Sequence, residues 1–256
     1  MSNFWDNIIN IFRPSNKISS VHFNSLRGQI VHWNDSGNYQ TYNLLPNAIS
    51  FPSDFWQKVT EIHRHTSGDK HERAINVWWA DGDVVVTHSV RGEASKVNIP
   101  KQSIKVSYKQ VSATSQYAEK IVKVDANVYS KKTVPLRELK NKKRVVVQFL
   151  FNMHTHPPHT DSNSQDGRSG SWYSFFSETD IRSFLSSNAS VTGLVTDKLW
   201  ILIKTDLTPK VFPEISESDL SPDTLTTVFN FKVYSGDLGR MVIVHRPEIS
   251  GSQADK

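Results

Sequence analysis

The chain contains no cysteine. That absence excludes disulfide frameworks, thiolate zinc sites, iron–sulfur clusters and cysteine nucleophiles together, and leaves His, Asp and Glu as the candidate metal ligands. It also speaks against a base deaminase whose zinc is held by cysteines. No stretch approaches the roughly 20 apolar residues that a membrane helix needs, and the first residues lack the basic-then-apolar layout of a secretory signal. These absences predict a soluble, cytoplasmic protein with no membrane partner. Internal repeats are missing. At 37% hydrophobic and 21% charged over 256 residues, the composition is neither disordered nor fibrous, and the length suits one large domain or two small ones.

Charge is present in mild excess, 30 Lys plus Arg against 25 Asp plus Glu. Much of that excess is local. Between Glu119 and Arg144 nine basic residues (Lys120, Lys123, Lys131, Lys132, Arg137, Lys140, Lys142, Lys143, Arg144) stand against three acidic ones (Glu119, Asp125, Glu138). The plain reading is a solvated hairpin and its turn; the sharper one is a docking patch for an acidic protein or a nucleic acid. No nucleic-acid motif accompanies the segment, so a nucleic-acid partner is not expected.

Hydrophobic patterning organises the rest. Residues 1–50 read as an N-terminal extension, with an amphipathic helix from Met1 to Pro14 followed by short strands around a hairpin between Val21 and Tyr42. Residues 51–245 read as the main α/β domain, with insertions near 109–143 and 158–173, and residues 246–256 as a flexible tail. Ser53 is placed as the N-cap of a helix running to about His65, with Thr66 to Lys70 breaking it. Asp81-Gly82 between alternating apolar runs is a hairpin signal. The run from Arg144 to His154 is apolar enough for a buried central strand, and Glu178 to Ser187 reads as a helix.

That strand ends in His154-Thr155-His156-Pro157, and two residues two apart on a strand leave the same face. Two neutral imidazoles on one face suit one metal ion. A tetrahedral zinc site for hydrolysis needs one more protein ligand and an open position for water. Asp180 can supply that ligand, because Ser177-Glu178-Thr179-Asp180 opens the following helix. On its own, Ser-x-x-Asp is also an ordinary capping-box start, and a lone His-x-His is common to several metal folds.

The order of an upstream Glu (Glu72), then His154-Thr155-His156-Pro157, then Ser177-x-x-Asp180 resembles the JAMM, or MPN-plus, zinc metalloproteases. The resemblance spans roughly Ser53 to Thr205. It implies a cytidine-deaminase-like α/β fold, with a central mixed sheet flanked by helices. It further implies one Zn²⁺ held by His154, His156 and Asp180, with Glu72 as general base and Ser177 steadying the oxyanion. Trp172 and Tyr173 would touch substrate. Many members of that family cut at the C-terminal tail of ubiquitin or a ubiquitin-like protein, which makes such a protein the expected partner. Glu61 and Glu93 are the rival bases, and His159, Asp161 or Asp166 in the long loop 157–176 are rival ligands to Asp180. The same resemblance admits a non-catalytic scaffold, and a nuclease using His154, His156, His159 and the basic segment is the further alternative.

Overall fold

In chain order the elements of the computed structural model are β1 (Ser20–His22), α1 (Phe23–Ser36), β2 (Ala48–Ser50), α2 (Ser53–Asp69), β3 (Arg73–Ala80), β4 (Asp83–Val86) and β5 (Val90–Arg91). Then come β6 (Ile104–Gln110), β7 (Tyr117–Val124), β8 (Asn127–Pro135), α3 (Leu136–Leu139), β9 (Val147–Thr155), α4 (Glu178–Ser186), β10 (Val191–Val195), β11 (Lys198–Ile203), α5 (Pro222–Thr227), β12 (Lys232–Asp237) and β13 (Val242–Val244). The structure describes residues 19–140, 142–158 and 174–247. The expected helix Met1 to Pro14, the loop residues His159, Asp161, Asp166, Trp172 and Tyr173, and residues 248–256 of the expected tail lie outside the described residues.

The fold is mixed α/β, with few helices. Ten strands form one curled mixed sheet in the order β1-β2-β13-β12-β11-β10-β9-β3-β4, with β5 pairing to the start of β3. A separate antiparallel sheet, β6-β7-β8, is inserted between β5 and β9. Alternation along the central strands divides the core. Phe151 and Met153 of β9 pack with Phe23 of α1 and Phe55 of α2, whereas Leu194 and Leu202 pack with Ile181 and Phe184 of α4 and Leu225 of α5. The large sheet therefore carries α1 and α2 on one face and α4 and α5 on the other. Among the described residues no helix is long and apolar enough to cross a membrane.

Two expectations about the first fifty residues are corrected. The segment expected to form a hairpin is largely the helix α1, because Phe23, Leu26, Ile30 and Trp33 recur at helical spacing and are all buried. The His22 side chain accepts from Asn24 N at its start. The turn residues that suggested a hairpin are its last turn, closed by Gly37 in the left-handed region at φ 69°. Nor are residues 19–50 an appendage: α1 supplies part of the main core, and β2 pairs with β13 inside the large sheet.

At α2 the buried stripe Phe55, Val59, Ile62 continues to Thr66, so the helix runs on to Asp69 and stops at Lys70, whose φ is 58°. Its N-cap is Pro52, one residue before Ser53. The β3–β4 hairpin turns through Asp81 and Gly82, at φ 54° and 111°. Both positive values fit the tight two-residue turn that Asp-Gly favours.

Candidate metal centre

β9 is central, antiparallel to β3 and parallel to β10, and the chain crosses from β9 to β10 through α4. A helix joining two parallel neighbours runs back along the sheet, so its first turn meets the C-terminal end of the preceding strand. That topology brings Ser177 and Asp180 to the end of β9. Strand alternation does the rest. Thr155 faces α2, where its hydroxyl meets that of Thr66 at 2.7 Å, while His154 and His156 face α4.

His154, His156 and Asp180 form a group able to hold a metal ion, with ligand atoms all within 4.8 Å of one another. The two Nε2 atoms lie 3.1 Å apart, and Asp180 Oδ1 is 3.2 Å from His154 Nε2. Zinc bonds of about 2.0–2.1 Å place neighbouring donors of a tetrahedron about 3.3 Å apart. The donor set therefore fits such an ion in both chemistry and spacing. Burial would push the His154 imidazole down, but the Asp180 carboxylate and, less strongly, Glu72 hold it above its ordinary value. Burial would likewise raise Asp180, yet His154 and His156 outweigh it and hold the carboxyl well below the usual range.

The capping box and the metal triad use one carboxylate in two ways. Asp180 Oδ2 accepts from Ser177 N at 2.9 Å and from Ser177 Oγ at 2.8 Å, and Asp180 N donates back to Ser177 Oγ at 3.2 Å. Oδ1 faces His154. Helix capping thus fixes the rotamer of the ligand, which makes the structural and the functional reading of Ser-x-x-Asp compatible.

Glu72 sits one residue before β3, and continuing the register Arg73↔Thr155 pairs it with His156. Its Oε1 lies 3.8 Å from His156 Nε2. Its backbone is pinned on both sides, with Glu72 N donating to Glu93 O at 2.9 Å and Gly92 N to Glu72 O at 2.8 Å. The next residue, Arg73, is 8% exposed and grips Asp69 through two bonds of 2.8 and 2.6 Å, while its N–H donates to Thr155 Oγ1 at 2.9 Å. This clamp ties the α2–β3 junction to the residue between the two histidines. Sequence reading missed it, since only the fold brings Thr155 to the Asp69–Arg73 pair.

A cleft of about 870 Å³ opens from the triad. One wall is α4, through Thr179, Asp180, Ser183 and Phe184; the other is the irregular segment after β5, through Glu93 and residues 95–99. Nothing local in the sequence marked that second wall. Of the rival bases, Glu93 lines the cleft, whereas Glu61 pairs with Lys58 at 2.8 Å on α2. His71 sits by Asp69 and Arg91, outside the triad.

The fold and site together define a mixed α/β protein with two buried histidines and a half-buried aspartate grouped as a metal ion would need. No protein-family model, curated protein or solved structure matches the chain, so the chemistry of the site has to carry its functional reading.

Proposed function

We propose that this chain is a zinc-dependent metallopeptidase or isopeptidase of the JAMM type, acting on the C-terminal tail of ubiquitin or a ubiquitin-like protein. The observation that carries the reading is the placement of Glu72. A carboxylate 3.8 Å from His156 Nε2, beside but outside the His154–His156–Asp180 group, is where a general base for hydrolysis belongs. A structural ion alone would need no such neighbour.

Zinc, when bound, supplies Lewis acidity, which polarises the scissile carbonyl and lowers the pKa of a water towards neutrality. His154, His156 and Asp180 would hold it. Glu72 takes the proton from the attacking water and returns it to the leaving amine. Ser177 Oγ turns from Asp180 to donate a hydrogen bond to the oxyanion, an interaction worth about 2.7–4 kcal/mol in comparable sites. No covalent intermediate is required. The cleft between α4 and residues 93–99 suits an extended chain, whose backbone groups would find partners on the irregular wall.

The test is metal content by mass spectrometry on protein made without a histidine tag, beside a His154→Ala/His156→Ala double variant, followed by assay of the zinc-loaded protein on a fluorogenic ubiquitin C-terminal amide. One zinc per chain, lost in the double variant, with hydrolysis lost in parallel, is the expected result. Metal-free protein after exposure to zinc would remove the hydrolase reading and leave a scaffold.

A further inference from the structure

Charge is segregated in this molecule. Residues 101–144 contain 12 Lys or Arg against 3 Asp or Glu, a net +9, while the rest of the chain carries 18 against 22, a net −4. That segment is the inserted sheet β6-β7-β8 with α3 and the approach to β9.

Its two faces differ. The inner face packs Val106, Val122 and Val124 against Ala80 and Val85 of the β3–β4 hairpin. Three of its basic residues serve that junction: Lys120 Nζ binds Ala80 O, Asp81 O and Asp83 at 2.8, 2.9 and 2.7 Å, Lys132 pairs with Asp54 and Asp83, and Lys142 pairs with Asp81. The outer face has no such purpose. Strand register puts Lys105 directly opposite Lys123, Ile121 opposite Lys131, and Lys109 opposite Glu119. Like charges paired across a sheet destabilise it, so the Lys105–Lys123 pair works against folding. Among the described residues of these three strands, Glu119 is the one acidic side chain on that face, 3.9 Å from Lys131. Tyr117, 53% exposed, stands on the same face, with Val128 opposite Lys123.

We infer that this outer face of β6-β7-β8 binds a single-stranded nucleic acid through its phosphate backbone. Charge complementarity requires a polyanion, and the composition selects which. Protein interfaces are depleted in Lys and enriched in Arg and aromatic residues, whereas nucleic-acid interfaces are more polar and far more positive. This face presents four lysines, no arginine and one tyrosine. Lysines act as point charges on phosphate without reading sequence, and an exposed ring on a sheet accepts a stacked base of any kind. Exposed Arg137, Lys140, Lys143 and Arg144 follow β8 and extend the positive field beyond the sheet. The inference stands apart from the metal centre and survives the loss of the hydrolase reading.

The experiment is fluorescence anisotropy of a labelled 20-nucleotide single strand of mixed sequence, titrated with the full chain between 50 and 200 mM salt. Four lysine–phosphate contacts on a single strand give a log–log salt slope of about −2.8, an affinity loss of about 50-fold over that range. Lys105→Gln/Lys123→Gln should halve the slope to about −1.4, a loss of about 7-fold, without lowering the melting temperature. Lys105→Arg/Lys123→Arg should retain the parent slope. Absence of binding at 50 mM salt, or an unchanged slope in the glutamine variant, would overturn the inference. Binding of polyglutamate as tight as that of the oligonucleotide would also overturn it, in favour of an acidic protein.

Discussion

Glu72 and His156 stand opposite each other one step beyond the last β3–β9 pair, with Oε1 3.8 Å from Nε2. They are far apart in the chain and share no local motif. Their meeting depends on antiparallel register, and the Arg73–Asp69 and Arg73–Thr155 bonds hold that register at the strand ends. On the proposed chemistry, Glu72→Gln keeps the shape and the metal but cannot take a proton. Zinc content should be unchanged and turnover should fall by about 10²–10⁴-fold. Normal turnover would move the base to Glu93.

The double use of Asp180 makes stability and catalysis separable at Ser177. Glycine replaces a serine N-cap at a cost of only a few tenths of a kcal/mol, whereas losing an oxyanion donor costs about 10²–10³ in turnover. Ser177→Gly should therefore melt close to the parent and hydrolyse far more slowly. Equal losses in the two measurements would make Ser177 a cap alone.

Metal should stabilise the fold. An ion that binds the folded state at 100 times its Kd adds about 2.7 kcal/mol. Urea unfolding with zinc, and again with a chelator, should differ by an amount of this order in the parent and not at all in Asp180→Ala, which lacks one of the three ligands.

Gly92 lets the second cleft wall approach Glu72. A Cβ there would come within 2.3 Å of Lys96 O and 2.7 Å of Val97 Cβ, so the wall must shift if the side chain grows. Gly92→Ala should cost about 1–3 kcal/mol in urea unfolding, as overpacking does, and raise KM while zinc stays bound. Unchanged KM would show that substrate does not use that wall.

Two buried lysines give the protein an alkaline stability profile. Lys204, 2% exposed, donates to Ser187 O at 2.7 Å and has no carboxylate partner among the described residues, and Lys232 donates to Tyr42 O at 3.2 Å. Burial pushes Lys204 down to about 8; burial, with the charge of Arg246, does the same to Lys232. Between pH 8 and the ordinary lysine value the unfolded chain binds more protons than the folded one, so stability rises with pH. Burial raises Tyr234 and takes Tyr129 up to about 12, which reverses the sign above the ordinary tyrosine value near 10. Urea midpoints should climb from pH 8 to about pH 10 and fall beyond. Lys204→Gln/Lys232→Gln should flatten the climb.

Local chemistry was open to sequence reading, and long-range pairing was not. The Asp81-Gly82 turn, the apolar β9 strand with its histidines two apart and the Ser177–Asp180 start of α4 are each decided within a few residues, by backbone preference, strand alternation and capping. Helix α1 is equally local, but its closing turn, Asn34 to Gly37, has the composition of a hairpin loop; the spacing of Phe23, Leu26, Ile30 and Trp33 is the better signal. The sequence alone therefore determined which residue types stand ready for a metal ion. Only the tertiary structure decided that Glu72 faces His156, that residues 93–99 wall the cleft, and that four lysines share one sheet face. Those relationships are set by register and by burial of both sheet faces, which depend on how distant strands pack against one another.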